Sequence, residues 1–442
     1  MPNRQTRNIP AKPLRLNRVM VGIALSCSIM ATTAFSSVVN ALTLSDAWVA
    51  AKANEPQYLK SQIDVQIGEA DVDSSRAGLL PDVSASAGAN WSDSNSDEVT
   101  SQYGIRLNQT IWDSAKWRTL DASEARLMSK ALQTSAQKNA LAEKVISAYL
   151  NVASSQAALK LAEQKYNEST KLLALTEQRF KAGKIMATDL EDTRASHVDD
   201  QASILTARAQ LLDNQAALAN LINVMPDQVD EVNAEHLFAP PLKYNGEQDW
   251  LKMAKDNSPE LLVALQNLKA AQIDKDTAKA GYYPTVKGNV GYRNESKSNN
   301  NDLYAGLSLS VPIDLNGSTS ANVEKASLQI LQAKQDVRAV EIQLKQDVQI
   351  RYRKLALDWQ RVEMAQQQVN SRQQVLSSKQ SVYGAGLIDS LEVIRAHNRL
   401  YDSKNALQVL LYQYWKNRAA LLKAVGQLDD NAISMVSKAL HS

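Results

Sequence analysis

Displaced by 203 residues, the sequence falls on itself. Asn54-Glu55-Pro56 meets Asn257-Ser258-Pro259, and Ala77-Gly78-Leu79-Leu80-Pro81 meets Ala280-Gly281-Tyr282-Tyr283-Pro284. The register holds far downstream, where Val145, Val152, Leu159, Tyr166, Leu173 and Phe180 meet Val348, Leu355, Val362, Val369, Leu376 and Tyr383. A chain written as one unit twice must fold as two copies of the same elements.

Those aligned rows recur every seventh residue, the 3.5-residue period of supercoiled helices. In the first repeat Ala148, Ser155, Ala162, Ser169 and Thr176 fill the alternate row with small side chains that let neighbouring helices approach. The second repeat puts Arg351, Asp358, Ala365, Arg372 and Lys379 there, so its apolar stripe is narrower. No glycine or proline falls between Ser114 and Ala182, or between Ser318 and Tyr383. At 1.5 Å per residue each run predicts a helix of about 100 Å, over 114–182 and 318–383. Shorter helical stretches flank each, about 56–79 with 187–223 and about 259–282 with 389–425. Stacked end to end, each pair nearly matches one long helix, so short helices are expected beside each long one. The segment 224–248, with Pro226, Pro240 and Pro241, links repeat 42–223 to repeat 249–428, and 429–442 reads as a C-terminal tail.

Period-two patterning appears after Pro81: Val83, Ala85, Ala87, Ala89 and Trp91 alternate with Ser84, Ser86, Gly88, Asn90 and Ser92. A polar turn at 93–100 and a second alternating run complete a hairpin over about 82–112. The second repeat predicts another over about 285–313, with its loop at 296–301. Each strand is long enough to cross a bilayer when tilted, with one apolar and one polar face. Four strands cannot close a barrel, and an open edge in hydrocarbon leaves backbone groups unpaired. The fold class expected is therefore mainly α, a duplicated unit with four strands and long coiled-coil helices per chain, oligomerising into a transmembrane β-barrel.

Residues 1–41 carry Arg4, Arg7, Lys12, Arg15 and Arg18, then an apolar run from Val19 to Phe35, and Val39-Asn40-Ala41 suits a cleavage site. This is read as a secretory signal peptide. It contains the single cysteine, Cys27, so the mature chain has no thiol; lipidation of Cys27 is not expected, for lack of the usual leucine three places earlier. Losing five of the chain's 49 basic residues leaves a slight excess of the 47 acidic ones, which does not suit nucleic acid as a partner. No later apolar run reaches the roughly 18 residues of a membrane helix, so any span must be β. His197, His236, His397 and His441 lack metal-ligand spacing, and no phosphate loop or nucleophile motif appears, so neither a cofactor nor an enzyme activity is expected. The competing reading is a periplasmic coiled-coil scaffold or adaptor without a pore, which shares the heptads and the leader but has no need of two hairpins with one apolar face each.

The whole mature chain resembles the TolC family of outer-membrane factors. The resemblance is carried by Arg76-Ala77-Gly78-Leu79-Leu80-Pro81, its echo at 279–284, and the paired turns Phe180-Lys181-Ala182-Gly183 and Tyr383-Gly384-Ala385-Gly386. Helix starts follow both turns, at Thr188-Asp189-Leu190-Glu191 and Ser390-Leu391-Glu392. The resemblance implies a homotrimer in the outer-membrane lipid, with a 12-stranded barrel above an α-helical barrel and an equatorial region from the inter-repeat segment and the termini. It implies a periplasmic adaptor and an inner-membrane exporter, proton-driven or ABC-type, as partners in efflux or type I secretion.

The resemblance also implies roles for residues. Thr188 and Asp189 would face Tyr383 in a latch closing the periplasmic end, while Ile388 stands where the best-known member has an arginine. Glu392 would form an acidic constriction, with Arg395 where a second acid is expected; both equally suit a solvated helix pair. Gly183 and Gly386 mark the adaptor-facing turns. Pro81 and Pro284 suit helix-to-strand corners. Trp91, Tyr103, Trp112, Tyr282, Tyr283 and Tyr292 are expected near the lipid interfaces, or, for Trp112, Tyr282 and Tyr283, at the barrel-to-helix junction.

Overall fold

The computed structural model describes residues 41–92, 98–232, 246–295 and 300–441. The predicted signal peptide lies outside them except for Ala41, as do parts of both hairpin loops and of the inter-repeat link. The first repeat runs α1 (Leu44–Asn54), α2 (Pro56–Ala77), β1 (Asp82–Ser92), β2 (Glu98–Trp112), α3 (Ser114–Lys181) and α4 (Ala187–Ile222). The second runs α5 (Glu247–Asn257), α6 (Pro259–Lys279), β3 (Thr285–Glu295), β4 (Asn300–Ser310), α7 (Ser318–Gly384) and α8 (Ser390–Ala424), with α9 (Asp430–His441) after it. The same 203-residue displacement that aligns the sequence superimposes the starts of α1 on α5, α2 on α6, β1 on β3 and α4 on α8.

The caps repeat as well. Proline opens α2 and α6, where its missing N–H costs nothing. Gly183 and Gly386 stop α3 and α7 in the left-handed region, and Asn223 and Gly426 do the same after α4 and α8. At Gly426 a Cβ would lie 2.2 Å from the Asn257 carbonyl oxygen, so no other residue fits that turn without moving the backbone.

The strands form one antiparallel sheet in the order β1-β2-β3-β4. Register carries the alternation across all four: Ala85, Ile105, Tyr292 and Leu303 share one row, and Ser84, Arg106, Gly291 and Tyr304 the next. The apolar face is bare, with Val83, Ile105, Leu303, Leu307 and Leu309 all exposed. β2 begins at Glu98, inside the expected turn. β4 ends at Ser310 rather than near Ile313, because Pro312 has no N–H to give the ladder. Pro81 and Pro284 each stand immediately before a strand. Trp91, Tyr103, Trp112, Tyr282, Tyr283 and Tyr292 are all solvent-exposed.

Below the sheet, α3 packs against α2, α4, α6 and α8, while α7 packs against α5, α6 and α8. The long row of α7 is its buried face: Val348, Leu355, Val362, Leu376 and Tyr383 are in the core. In α3 the small row is buried further toward the tip than the large one, with Ser155, Ser169 and Thr176 enclosed and Phe180 out. Small side chains there admit α4 and α8 together.

The principal core is a waist at mid-height, where Leu44, Trp48, Ile146, Tyr149, Trp250 and Trp415 are buried together. Burying such a side chain stabilises by about 1.5–3 kcal/mol. The inter-repeat link is strapped across it. Val229 pairs with Leu42, the Tyr149 hydroxyl donates to Leu42 O at 2.7 Å and accepts from Asp230 N at 2.9 Å, and Val232 N donates to the Tyr412 hydroxyl. Burial pushes both phenols well above their ordinary pKa, so both hydroxyls stay neutral. Residues 429–441, expected as a tail, form a helix instead: Asp429 caps α9, and Ala432, Ile433 and Val436 join the waist core. Trp48 donates to Asp430 at 2.5 Å, and this bond with Lys138 and Lys52 holds the Asp430 carboxyl down at about 2.

Candidate functional site at the helical tips

The ends of α3, α4, α7 and α8 meet far from the sheet, around the two glycine turns. Both turns close identically: Gly183 N donates to Phe180 O and Lys184 N to Arg179 O, as Gly386 N does to Tyr383 O and Leu387 N to Val382 O. The side chains around them differ. Tyr383 is 1% exposed and joins a cluster with Leu376, Val393, Ala396 and Leu400, against which Leu172 and Ile388 pack. Ile388 thus contributes apolar surface where the resemblance expected a cation.

The Tyr383 hydroxyl lies 3.2 Å from the buried Thr176 Oγ1, and its main-chain carbonyl accepts from Arg179 Nη1. The Asp189 carboxylate accepts from Met186 N at 3.3 Å, closing the first turn of α4, and Asp189 O accepts from the Ser390 hydroxyl at 3.2 Å. Thr188 is exposed. Tyr383 is thus tied to α3 and Asp189 to the start of α8, without a hydrogen bond between the two.

Glu392 sits between two cations. Lys379 Nζ bonds one carboxylate oxygen and Arg395 Nη1 the other at 3.0 Å, while Asp389 caps the helix by accepting from Glu392 N. The Lys379 bond, then the Arg395 bond, hold Glu392 below the usual carboxylate range. The carboxylate is therefore ionised and locally outnumbered, so the acid of the expected constriction carries its own neutralising charges.

A polar cluster around the buried Asp200 and His397 lies behind the turns, missed by sequence reasoning because its members come from three helices and share no periodic row. Asp200 of α4 is paired with Lys165 of α3 at 2.9 Å, and His397 of α8 lies 3.4 Å from Glu168 of α3. Burial pushes the His397 imidazole below its ordinary value against the raising pull of Asp200 and Glu168. His197 bonds Ser169 at 3.0 Å and stacks on Tyr166. Arg179 and Lys379 were likewise missed; their repeat equivalents are Val382 and Thr176, so duplication gave no signal. Among the described residues no group of three or more His, Cys, Asp or Glu is placed to hold a metal, and no helix is long and apolar enough to cross a membrane.

Comparison with known proteins gives a consistent picture. The family model described as "Outer membrane efflux protein" matches residues 48–224 and 250–427, one block per repeat. The chain is 25% identical over 418 residues to the outer membrane protein TolC of Vibrio cholerae, covering 92% of this chain and 95% of that one. It is 23% identical over 442 residues to the proteases secretion protein PrtF of Dickeya chrysanthemi, covering 94% of each. The Campylobacter jejuni CmeC outer membrane channel shares the fold, with a TM-score of 0.74 at 16% identity over 90% of this chain and 89% of that one.

Proposed function

The chain belongs to the outer membrane efflux protein family, and from that membership we propose that it is one of three identical protomers forming the passive exit duct of a tripartite assembly. Its strands lie in the outer membrane and its helices extend into the periplasm. The other components are a periplasmic adaptor and an inner-membrane exporter, proton-driven or ABC-type, serving efflux or type I secretion. A scaffold without a pore leaves the family's own description unused and is set aside.

The observation that carries the reading is the open sheet with one bare apolar face, joined directly to helices of 68 and 67 residues. β1 and β4 each have a free edge, and in hydrocarbon that edge needs a second copy. The helices support the same closure. α4 exposes Val198, Leu205 and Leu212 at heptad spacing, and the open side of α7 exposes Ile350, Leu357 and Met364 at the same spacing. Two unlike stripes at opposite ends of one protomer suit a head-to-tail contact, and such contacts close into rings. Three copies give twelve strands.

At the tip, the reading assigns the Thr188, Asp189 and Tyr383 region to the latch of the periplasmic end. Gly183 and Gly386 mark the turns offered to the adaptor, and Glu392 with Arg395 line the constriction. Support for a latch is the burial of Tyr383 at the far end of the α7 core row, where α7 and α8 lean on α3 and α4.

Planar-bilayer recording on the detergent-extracted protein, with its mass in solution, tests the proposal. Discrete channels from a species of three protomers are expected. A monomer without conductance would overturn the duct.

A further inference from the structure

We infer that Arg179 is the residue that holds the second hairpin turn closed, acting from α3 on the end of α7. The inference rests on the reading of the tips as the gate of a duct.

One side chain makes several contacts there. Arg179 Nη1 donates to the carbonyl of Tyr383, which also accepts from Gly386 N at 2.9 Å. That carbonyl belongs to the last turn of α7, where unpartnered carbonyls give the helix its negative end, so a cation is favoured on it. The guanidinium carbon lies 4.4 Å from the centre of the Tyr383 ring, within the distance at which a cation is attracted to an aromatic face. Nη2 lies 3.1 Å from the point where a Cβ on Gly386 would stand. The turn therefore lacks a side chain where the guanidinium rests. Beneath it, the Tyr383 hydroxyl meets Thr176, one helical turn before Arg179 on the same helix.

The attachment is specific to the second turn. The repeat equivalent of Arg179 is Val382, and at the first turn a Cβ on Gly183 would have no atom within 4 Å. Nor does Ile388 supply a cation from the α8 side; it faces the apolar cluster. An arginine reaching from the other hairpin takes its place, and it grips main chain and ring face rather than a carboxylate. Its hold therefore survives loss of the Tyr383 hydroxyl, since phenylalanine keeps both the carbonyl and the face. Lysine at 179 keeps the charge but not the planar fork that bonds and stacks at once.

The test is single-channel recording of the full chain in planar bilayers, with thermal unfolding of the helices as the control for general stability. Arg179→Ala is expected to raise conductance at least twofold with little change in the unfolding midpoint. Arg179→Lys should fall between it and wild type. Arg179→Ala should raise conductance equally when introduced into Tyr383→Phe. Arg208→Ala, which removes an exposed Arg208–Glu163 pair between α4 and α3, should do nothing. If Arg179→Ala fails to assemble, Arg179→Lys decides, and wild-type conductance in it overturns the inference. Wild-type conductance in Arg179→Ala, in an assay where Tyr383→Ala opens the channel, also overturns it. Absence of channels from the wild-type protein would instead sink the duct reading beneath it.

Discussion

The turn after α3 and the turn after α7 are the same backbone solution reached twice, with a left-handed glycine and the same pair of closing hydrogen bonds. Their side chains have parted. Phe180 is 41% exposed, whereas its equivalent Tyr383 is 1% exposed. Thr176 is paired by repeat with Lys379, Arg179 with Val382, Asp189 with Glu392, and Arg194 with His397. The first turn has open space around Gly183; the second is gripped by Arg179, by Thr176 and by an apolar cluster. Duplication thus kept the scaffold, and a few substitutions made one hairpin the anchor and the other the part that is held.

Four experiments bear on that contrast. The largest effect is expected from truncating the paired aromatics. Tyr383→Ala removes a buried ring and should cost about 3–5 kcal/mol, seen as a lower thermal midpoint and larger conductance, while Phe180→Ala should stay within about 0.5 kcal/mol. Similar losses at both would erase the asymmetry. Next come the glycines. Alanine in the left-handed region costs roughly 1–2 kcal/mol; Gly183→Ala should show only that, and Gly386→Ala more, because its Cβ meets Arg179. Equal midpoints in the two variants would mean the guanidinium yields without cost.

Smaller still is a pH effect. His397 is held below its ordinary value of 6.5 by burial, so a state in which α8 has left α3 and α4 binds the extra proton. The packing of the second hairpin is therefore fully stable above about pH 6.5 and weakens as pH falls below it. Conductance should rise between pH 7.5 and 5.5, and His397→Gln should flatten that rise; an unaltered slope would assign it elsewhere. Arg194, the repeat equivalent, is exposed and paired with Glu191 and Glu177, and its replacement by Gln should leave the slope intact. The smallest effect belongs to Glu392→Ala. With Lys379 and Arg395 already on the carboxylate, reversal potentials in a salt gradient should show a modest loss of cation preference, and Asp189→Ala none. No shift at Glu392 would leave it a local helix pair.

Much of the architecture is legible because its signals are local. Heptad rows, runs without glycine or proline, and period-two stretches report their own geometry, and duplication makes each signal visible twice. What escaped detection depends on distant partners. α9 is a helix because Ala432, Ile433 and Val436 find the waist and Asp430 finds Trp48, nearly four hundred positions earlier in the numbering. The hairpin over 285–313 was read too long because alternation continues through Val311 and Ile313, while Pro312 silences the ladder. At the tips, the family resemblance pointed to Thr188, Asp189, Tyr383 and Glu392. Of their hydrogen-bond partners only Arg395, three residues from Glu392, was readable; Thr176, Arg179, Ser390 and Lys379 were not, because a side chain's reach from one helix to another has no period.

The uninterrupted length of α3 and α7 has a mechanical consequence. Each crosses the waist core and continues for some thirty residues to its turn, about 45 Å at 1.5 Å per residue. Neither stretch contains a proline, or a glycine before Gly183 and Gly384, so neither has a built-in hinge. The rods behave as levers with the waist as fulcrum: a rotation of about 10° there sweeps the tip through roughly 8 Å, on the helix length just given. A small adjustment among Ile146, Tyr149, Leu355 and Trp415 is magnified into a displacement of several ångströms at the far end, and a force applied at the tip is felt most sharply at the waist.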